Sequence, residues 1–301
     1  MSTEQSMTFD ALRDHEQPAT GPERRAAAAP PVRESRVLGL PRALWPKILA
    51  PVLTGLALLG LWEFSVRAAG IPPYILPAPS GIAHALVANW SSLVGSMWIT
   101  LSISLAALAL AIVVGLALSI LFTQSKWMEL AFFPYAVVMQ VTPVVAIAPL
   151  IIIWANNVVV SLLVCAWLVA FFPILSNTTL GLNSADHNLV NLFQLYRATR
   201  WQTLRYLRLP AAAPYFLGGV RISGGLSLIG AVVAEFVAGT GGVASGLASR
   251  ILESGYQLQI PRMFAALFLV SMCGVVIFVC LSLVSHLALR KWHDSALKRE
   301  N

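Results

Sequence analysis

Six stretches of this chain are apolar enough and long enough to cross a lipid bilayer. A helix needs about 20 mostly apolar residues to span a hydrocarbon core roughly 30 Å thick. The stretches are too long and too rich in Ala, Leu and Val for the strands of a transmembrane barrel. The chain is therefore predicted to be an all-α, polytopic membrane protein with six transmembrane helices. The predicted spans are Ile48–Val66, Met97–Phe122, Leu130–Ile153, Val158–Leu175, Pro214–Val237 and Met263–Leu287.

Composition excludes the main alternatives to a membrane protein. Of the 301 residues, 57% are hydrophobic and 11% are charged, and the mean hydropathy is +0.75. Soluble domains carry about a quarter charged residues. No charged residue occurs between Arg67 and Lys126, or between Glu129 and Asp186. These values exclude a soluble enzyme, a disordered protein and a secreted disulfide scaffold.

The positions of Lys and Arg predict the orientation. Sixteen of the 20 basic residues precede the first span or follow the second, fourth and sixth, which an even number of spans places on one side. The other side has Arg67, Arg250 and Arg262, and Arg221 falls within the fifth span. Basic loops mark the cytoplasmic side, so both termini are expected there. This topology and attraction to anionic lipids account for the net charge of +7, and nucleic-acid binding is not expected.

Four regions are predicted along the chain. Residues 1–43, rich in Ala, Pro, Arg and Glu, are expected to form a disordered cytoplasmic tail. Residues 44–93 hold the first span and an outer loop, and residues 94–288 hold a core of five helices. A long cytoplasmic loop, 177–213, interrupts that core. Residues 289–301 are expected to form a cytoplasmic tail.

The sequence lacks the motifs of several common chemistries. It contains no GxxxxGK[ST] phosphate loop, and the run GTGGVASG (Gly239–Gly246) is interpreted as a turn at the outer end of the fifth span. The histidines do not form HExxH, and no convergent catalytic set stands out. No metal site, cofactor site or catalytic residue is predicted in this chain.

The loop 177–213 carries a basic, amphipathic segment. At helical spacing, residues 192–209 place an apolar side opposite most of the arginines, and Pro210 is expected to end the helix. Such a helix either lies in the lipid headgroups or docks into a groove of a soluble partner. The apolar side contains Leu192, Phe193, Leu195, Tyr196, Leu204, Leu207 and Leu209, and the arginines are Arg197, Arg200, Arg205 and Arg208.

The segment NLFQLYRATRWQTLRYLRLPAAAPYFLGGVRIS (Asn191–Ser223) resembles the cytoplasmic coupling loop of bacterial ABC importer permeases. The family pattern is Glu-Ala-Ala, three residues, Gly-Ala, and Leu-Pro thirteen residues after that Gly. Here Asn-Leu-Phe replaces Glu-Ala-Ala and Arg197 replaces the glycine. The resemblance implies that the loop docks on an ATPase through Asn191, Leu192, Phe193, Arg197, Ala198, Leu204, Leu207, Leu209 and Pro210.

Other segments extend the resemblance over about residues 48–295, in the order typical of the nitrate/sulfonate/taurine branch. They are ILPAPSGI (Ile75–Ile82), QVTPVVAIAPLIIIWAN (Gln140–Asn156), FFPILSNTTLGL (Phe171–Leu182), GGVRISGGLSLIGAVVAEFVAG (Gly218–Gly239) and RKWHDS (Arg290–Ser295).

A type I ABC importer permease of the bacterial inner membrane is what this resemblance implies. Its partners would be two cytoplasmic ATPases, a second permease subunit forming a homodimer, a periplasmic or lipid-anchored binding protein, and membrane lipids. ATP and Mg²⁺ would bind to the ATPase. The solute would be nitrate-, sulfonate- or taurine-like, or a pyrimidine-type vitamin precursor, imported by alternating access.

Two local predictions concern the coupling loop and the pathway. A glycine permits a positive φ or a close helix approach, and Arg197 forbids both unless its side chain points outward. Arg197 is therefore expected to face the ATPase and to meet an acidic rim there. In the third span, Pro143 removes a backbone donor, and Gln140, Thr142 and Pro143 either form a packed kink or lie beside the translocation cavity. Glu235, a charged residue within the fifth span, either lines the outer mouth or reaches the interface.

The alternatives to an importer subunit are a stand-alone ion-coupled secondary transporter or channel, and a membrane-embedded enzyme. No inverted repeat or chain of intramembrane acids favours the former. No catalytic set favours the latter.

Overall fold

The computed structural model describes residues 36–37, 40–41, 45–239 and 245–290. Predictions for the rest of the N-terminal tail, for residues 240–244 of the glycine-rich run and for the chain beyond Arg290 lie outside the described residues. The described part divides into two units, on either side of the bond between Leu56 and Ala57.

The first unit contains two short strands and the first half of α1. Strand β1 (Arg36–Val37) pairs antiparallel with β2 (Leu40–Pro41), with Val37 opposite Leu40.

The remaining elements are helical. Between α8 and α9, residues Leu204–Arg208 form a π-helical turn. The helices are α1 (Trp45–Ala68), α2 (Pro79–Ala88), α3 (Trp90–Gln124), α4 (Lys126–Val141), α5 (Val144–Ala155), α6 (Val158–Asn183), α7 (His187–Leu195), α8 (Arg200–Thr203), α9 (Leu209–Ala238), α10 (Leu247–Tyr256) and α11 (Ile260–Leu289).

The predicted all-α membrane fold is confirmed. Five of the described helices are long and apolar enough to cross a membrane, and a sixth span results if α4 and α5 count as one broken helix. Sequence analysis missed the short helices α2 and α10, since neither is long enough to register as a span. Helix α3 begins seven residues earlier than predicted, at Trp90 rather than Met97.

The predicted single helix over Leu130–Ile153 needs correction, because α4 and α5 meet at an angle of 102°. Pro143 has no N–H to continue the helix, and it disfavours helical geometry at the preceding residue. Thr142 accordingly has an extended ψ of 122°. Its backbone N–H and its hydroxyl both donate to the Val138 carbonyl, at 3.1 and 2.7 Å, which satisfies the end of α4.

Helices α3, α6 and α9 form the centre of the second unit. Small residues let their backbones approach closely, as is common in membrane helix bundles. A Cβ on Gly219 of α9 would lie 2.9 Å from the Pro173 carbonyl oxygen of α6. The Ser223 hydroxyl donates to the Ala170 carbonyl at 2.6 Å, and the hydroxyls of Ser104 and Ser227 are 3.0 Å apart.

Burial separates the central helices from the outer ones. In α6, and in the span that ends with α9, 44% of an apolar stretch of 18 residues is buried inside the protein. The corresponding share in α11 is 17%. Helix α11 exposes large apolar side chains along its length, which suits a lipid-facing position. These side chains include Phe268, Val275, Val279 and Leu283.

Candidate functional site

The basic loop leads into the start of α9; its residues 187–208 are here called the coupling knob. It contains α7, a turn at residues 196–199, α8 and the π-helical turn. The Asp186 side chain caps the start of α7 by accepting from the Asn188 N–H at 2.8 Å. From Arg200 to Ala238 the chain is one helical span of 39 residues, roughly 58 Å long at 1.5 Å per residue. That length exceeds the hydrocarbon core, so this helix extends beyond it.

Arg197 occupies a backbone position that favours glycine. Its φ is 53°, in the left-handed region, and its side chain is exposed. The N–H of Ala198 donates to the Phe193 carbonyl and that of Arg197 to the Gln194 carbonyl, both at 2.9 Å. This is the Schellman arrangement that ends a helix, with Arg197 at the position where glycine is the usual residue.

The next helix starts with a capping box. Thr199 accepts from the Gln202 N–H at 3.2 Å, and the Gln202 side chain accepts from the Thr199 N–H at 2.7 Å. The Thr-x-x-Gln spacing is readable in the sequence and was missed, although it marks this boundary.

The predicted single helix over 192–209, ended by Pro210, is wrong. Helix α7 ends at Leu195, and the second helix runs through Pro210 into α9. Pro210 lacks an N–H, and the helix before it contains a π-helical turn. In this turn the Leu209 N–H donates to the Leu204 carbonyl, five residues earlier instead of four. Pro210 therefore lies inside a continuous helix, where its missing N–H leaves one carbonyl of the preceding turn without its usual helical donor.

The predicted coupling residues divide into a surface group and a supporting group. Leu204 is 1% exposed and packs with Leu182 and Ala212, so it supports the knob from inside. Asn191 and Leu192 are exposed, while Phe193, Ala198, Leu207, Leu209 and Pro210 are partly buried. The largest exposed apolar side chains of the knob were not in the predicted coupling set: they are Leu195, Tyr196, Trp201 and Tyr206.

Exposed arginines flank these apolar side chains. Arg197, Arg200 and Arg205 are exposed, and no salt bridge to them occurs among the residues that the structure describes. Arg208 differs, because its guanidinium donates to the Thr123 carbonyl at 3.3 Å and ties the knob to the end of α3. The knob thus presents an apolar and basic surface on a braced base.

Replacing Arg197 by glycine is expected to stabilise the protein. Left-handed geometry costs a side-chain-bearing residue about 1 kcal/mol, which Arg197→Gly removes. The expected result is a gain of about 1 kcal/mol, measured as a rise in the thermal unfolding midpoint. Arg205→Gly, in helical geometry, is the matched control and should lose about as much. A fall in the midpoint with Arg197→Gly would contradict the assignment.

The predicted pathway residues of the third span lie at the break between α4 and α5. Gln140 and Pro143 are exposed and Thr142 is partly buried, so this broken backbone presents polar groups at the surface of the bundle. The helix is interrupted between Val141 and Val144. Whether these residues line a pathway remains a prediction.

Glu235 lies at the opposite end of α9, buried among three helices. Its side chain is 1% exposed. One carboxyl oxygen accepts from the Thr100 hydroxyl of α3 at 2.8 Å, and the other accepts from the Ala248 N–H of α10 at 3.0 Å. Thr100 in turn accepts from the Leu247 N–H at 2.8 Å. We call these groups the α10 clamp, because they hold the first turn of α10 against α3 and α9.

Gly246 completes the α10 clamp by leaving room for the carboxyl group. A Cβ at this position would overlap the Glu235 carboxyl. The clamp was only partly predictable, since Glu235 was identified but Thr100 and Gly246 were not. A polar residue within a span is the signal that pointed to Glu235.

Arg250 adds a second polar link on α10. It donates to the Ser96 hydroxyl at 2.9 Å and to the Glu253 carboxylate at 2.7 Å. The hydrogen bond from Arg250 holds the pKa of Glu253 below its usual value, because it stabilises the charged carboxylate. Helix α10 is therefore attached to the beginning of α3 as well as to the end of α9.

The coupling knob and the α10 clamp do not form one site. From Leu209 to Glu235 the helix rises roughly 39 Å at 1.5 Å per residue. The two sites are connected by α9, a single long helix.

A protein-family profile described as "binding-protein-dependent transport system inner membrane component" matches residues 111–293. This range includes the coupling knob and Glu235.

Similar proteins from bacteria are transport permeases. The riboflavin transport system permease protein RibX of Chloroflexus aurantiacus is 35% identical over 86% of this chain and 96% of its own length. The formylaminopyrimidine transport permease protein ThiX of Halalkalibacterium halodurans is 35% identical over 80% of this chain and 95% of its own. The putative aliphatic sulfonates transport permease protein SsuC of Bacillus subtilis is 29% identical over 85% of this chain and 91% of its own.

Solved structures share the fold. A crystal structure of an amino acid ABC transporter with histidines has a TM-score of 0.54 at 16% identity, covering 67% of this chain and 96% of the other. An inward-facing form of the MetNI methionine ABC transporter has a TM-score of 0.53 at 17% identity, covering 64% and 94%. The chain therefore belongs to the family of inner-membrane permease subunits of binding-protein-dependent, type I ABC importers.

Proposed function

We propose that two copies of this chain form the translocation path of an importer driven by two separate ATPase subunits. The coupling knob carries the proposal: an apolar surface flanked by exposed arginines and braced on α3 suits docking to a soluble partner. ATP and Mg²⁺ bind to the ATPases, and a binding protein delivers the solute. Both termini and the knob lie on the cytoplasmic side, as the distribution of basic residues favours.

The mechanism in this proposal is a rigid-body switch. Closure of the ATPases on ATP draws the two knobs together, and α9 transmits that movement to the end that holds Glu235. The solute enters a cavity between the two copies, beside the broken backbone of Gln140–Pro143, and hydrolysis returns the pair to the inward-facing state. This chain performs no bond chemistry.

A heteroaromatic solute of the vitamin type is favoured over nitrate, sulfonates or taurine. The relatives named for riboflavin and formylaminopyrimidine are both 35% identical to this chain, against 29% for the relative named for sulfonates. Uptake of labelled riboflavin, formylaminopyrimidine, taurine and nitrate by the assembled transporter tests this choice.

Reconstitution with and without the ATPase tests the proposed motor. Uptake into liposomes is expected to require the ATPase subunit, external binding protein and ATP on the side of the knob. Because the permease alone has no energy source, omitting the ATPase should reduce uptake to the level of empty liposomes. An ATPase variant that binds but does not hydrolyse ATP is the matched control. Uptake by the permease alone, driven by an ion gradient, would instead support a secondary transporter.

Arg197 in this proposal meets an acidic rim on the ATPase. Comparing Arg197→Gln with the wild type tests this contact. Glutamine removes the charge but, unlike glycine, keeps a side chain at the position with positive φ, so the backbone is not made more flexible. Docking of the ATPase should weaken and become less dependent on salt. Unchanged docking at low and high salt would refute the contact.

A further inference from the structure

We infer that a crevice between α3, α4 and α6 binds an anionic phospholipid, with its headgroup beside the base of the coupling knob. The crevice consists of three adjoining cavities of about 300, 500 and 180 Å³. The first and second share Thr123 and Arg208, and the second and third share Phe122. The first cavity includes Ala198 and Arg200 of the knob, whereas the most exposed apolar side chains of the knob line none of the three cavities.

The polarity of the crevice changes along its length. The cavity of about 300 Å³ lies under the knob and is lined by polar and basic groups, among them Gln194, Arg200 and Thr203. The cavity of about 500 Å³ is mixed, with Lys126 and Asn183 beside Leu130 and Phe133. The cavity of about 180 Å³ is lined by apolar and aromatic side chains such as Leu118, Met139 and Phe171. The change from a basic lining at one end to an apolar lining at the other matches the headgroup and the acyl chain of a phospholipid.

Charge favours an anionic headgroup. Lys126, Arg200 and Arg208 line the polar half, against the single carboxylate of Glu129. No salt bridge to these three cations occurs within the described ranges. Basic pockets at the membrane surface are typical binding sites for anionic lipids.

The position of the crevice relative to the bilayer agrees with a lipid. Trp127, next to Lys126 at the start of α4, is 84% exposed. Exposed tryptophans of membrane proteins concentrate at the level of the headgroups. The apolar cavity continues from there along α4 and α6 toward the hydrocarbon. A soluble anion would use the basic half and would leave this apolar half unused.

The experiment is a titration of the delipidated full chain in detergent with phosphatidylglycerol or phosphatidylcholine, read by native mass spectrometry. We expect phosphatidylglycerol to bind at least fivefold more tightly. Each cation near a headgroup contributes about a fivefold change in affinity, so Lys126→Gln should lose about that factor for phosphatidylglycerol only. Ala136→Leu, which narrows the apolar cavity, should weaken binding of both lipids.

Arg290→Gln is the matched control, because Arg290 is exposed and lies outside the crevice. This substitution also removes one positive charge. It should bind both lipids like the wild type. Equal affinity for the two lipids, or wild-type binding by Lys126→Gln, would overturn the proposal. Competition by soluble glycerol phosphate at the same affinity as the lipid would replace it with a simple anion site. Release of the lipid when the chain dimerises would show that a second copy occupies the crevice and would also overturn it.

Discussion

Gly246→Ala is expected to destabilise the protein by about 3 kcal/mol. The new Cβ overlaps the Glu235 carboxyl, so either that group or the first turn of α10 must move. Movement breaks hydrogen bonds from Thr100 and Ala248 in a buried site, and each buried polar group left without a partner costs about 1–3 kcal/mol. The unfolding midpoint should fall by roughly 6–10 °C. A thiol-reactive dye reports unfolding in a Cys280→Ser background, because the free Cys165 and Cys273 are buried whereas Cys280 is exposed.

Two controls separate this clash from a general effect of alanine. Gly255 lies within α10, which Gly246 caps, and a Cβ at position 255 would meet only the Met263 sulfur, at 3.8 Å. Gly255→Ala should therefore be neutral or slightly stabilising. In a Glu235→Ala background, Gly246→Ala should cost only its helix-cap contribution, below about 1 kcal/mol. An equal cost in both backgrounds would mean that the carboxyl is not what Gly246 accommodates.

Much of the fold could be predicted from local sequence. Long apolar runs predict the spans, because only helices and closed barrels satisfy the backbone in lipid and these runs are too long for barrel strands. The break after α4 was partly predictable, since Pro143 has a fixed local effect on the residues around it. The angle of 102° was not, because it depends on what α4 and α5 pack against.

The α10 clamp shows why the rest of the site could not be predicted. Thr100 and Glu235 are 135 positions apart in the chain, and nothing in either local pattern specifies their hydrogen bond. Gly246 is a helix cap by its sequence context, whereas its close approach to the carboxyl depends on tertiary packing. A periodic pattern identifies a face of a helix, but it does not identify the neighbour of that face.

The coupling knob shows the same limit for apolar residues. Leu195 and Leu204 both belong to the apolar set of one predicted helix. In the structure Leu195 is 79% exposed and Leu204 is 1% exposed, because the helix ends between them and Arg197 adopts left-handed geometry. Hydropathy alone does not distinguish a leucine that supports the knob from one that is available to a partner. Substitution of Leu195 should therefore affect docking of a partner, whereas substitution of Leu204 should affect stability.

Replacing Leu195 and Tyr196 together by alanine is expected to weaken ATPase docking by at least about thirtyfold. Anchors of a docked interface contribute about 2 kcal/mol or more, and a tenfold change corresponds to 1.4 kcal/mol. Stability should change little, since the two side chains are 79% and 78% exposed. Leu204→Ala should instead lower the unfolding midpoint, because a buried leucine contributes about 2–5 kcal/mol to stability. The measurements are the affinity of the purified ATPase for the permease in detergent and the thermal unfolding midpoint of each variant.

The matched control for this pair uses the same residue types on the other side of the bundle. Tyr256 and Leu258, at the end of α10, are 79% and 72% exposed. Their double substitution by alanine removes as much exposed apolar surface as the knob pair does, but far from the knob. ATPase affinity should stay at the wild-type value in this control. Equal losses from both pairs would show that exposed apolar area in general holds the ATPase in detergent, whereas a loss confined to Leu195 and Tyr196 places the motor on the knob.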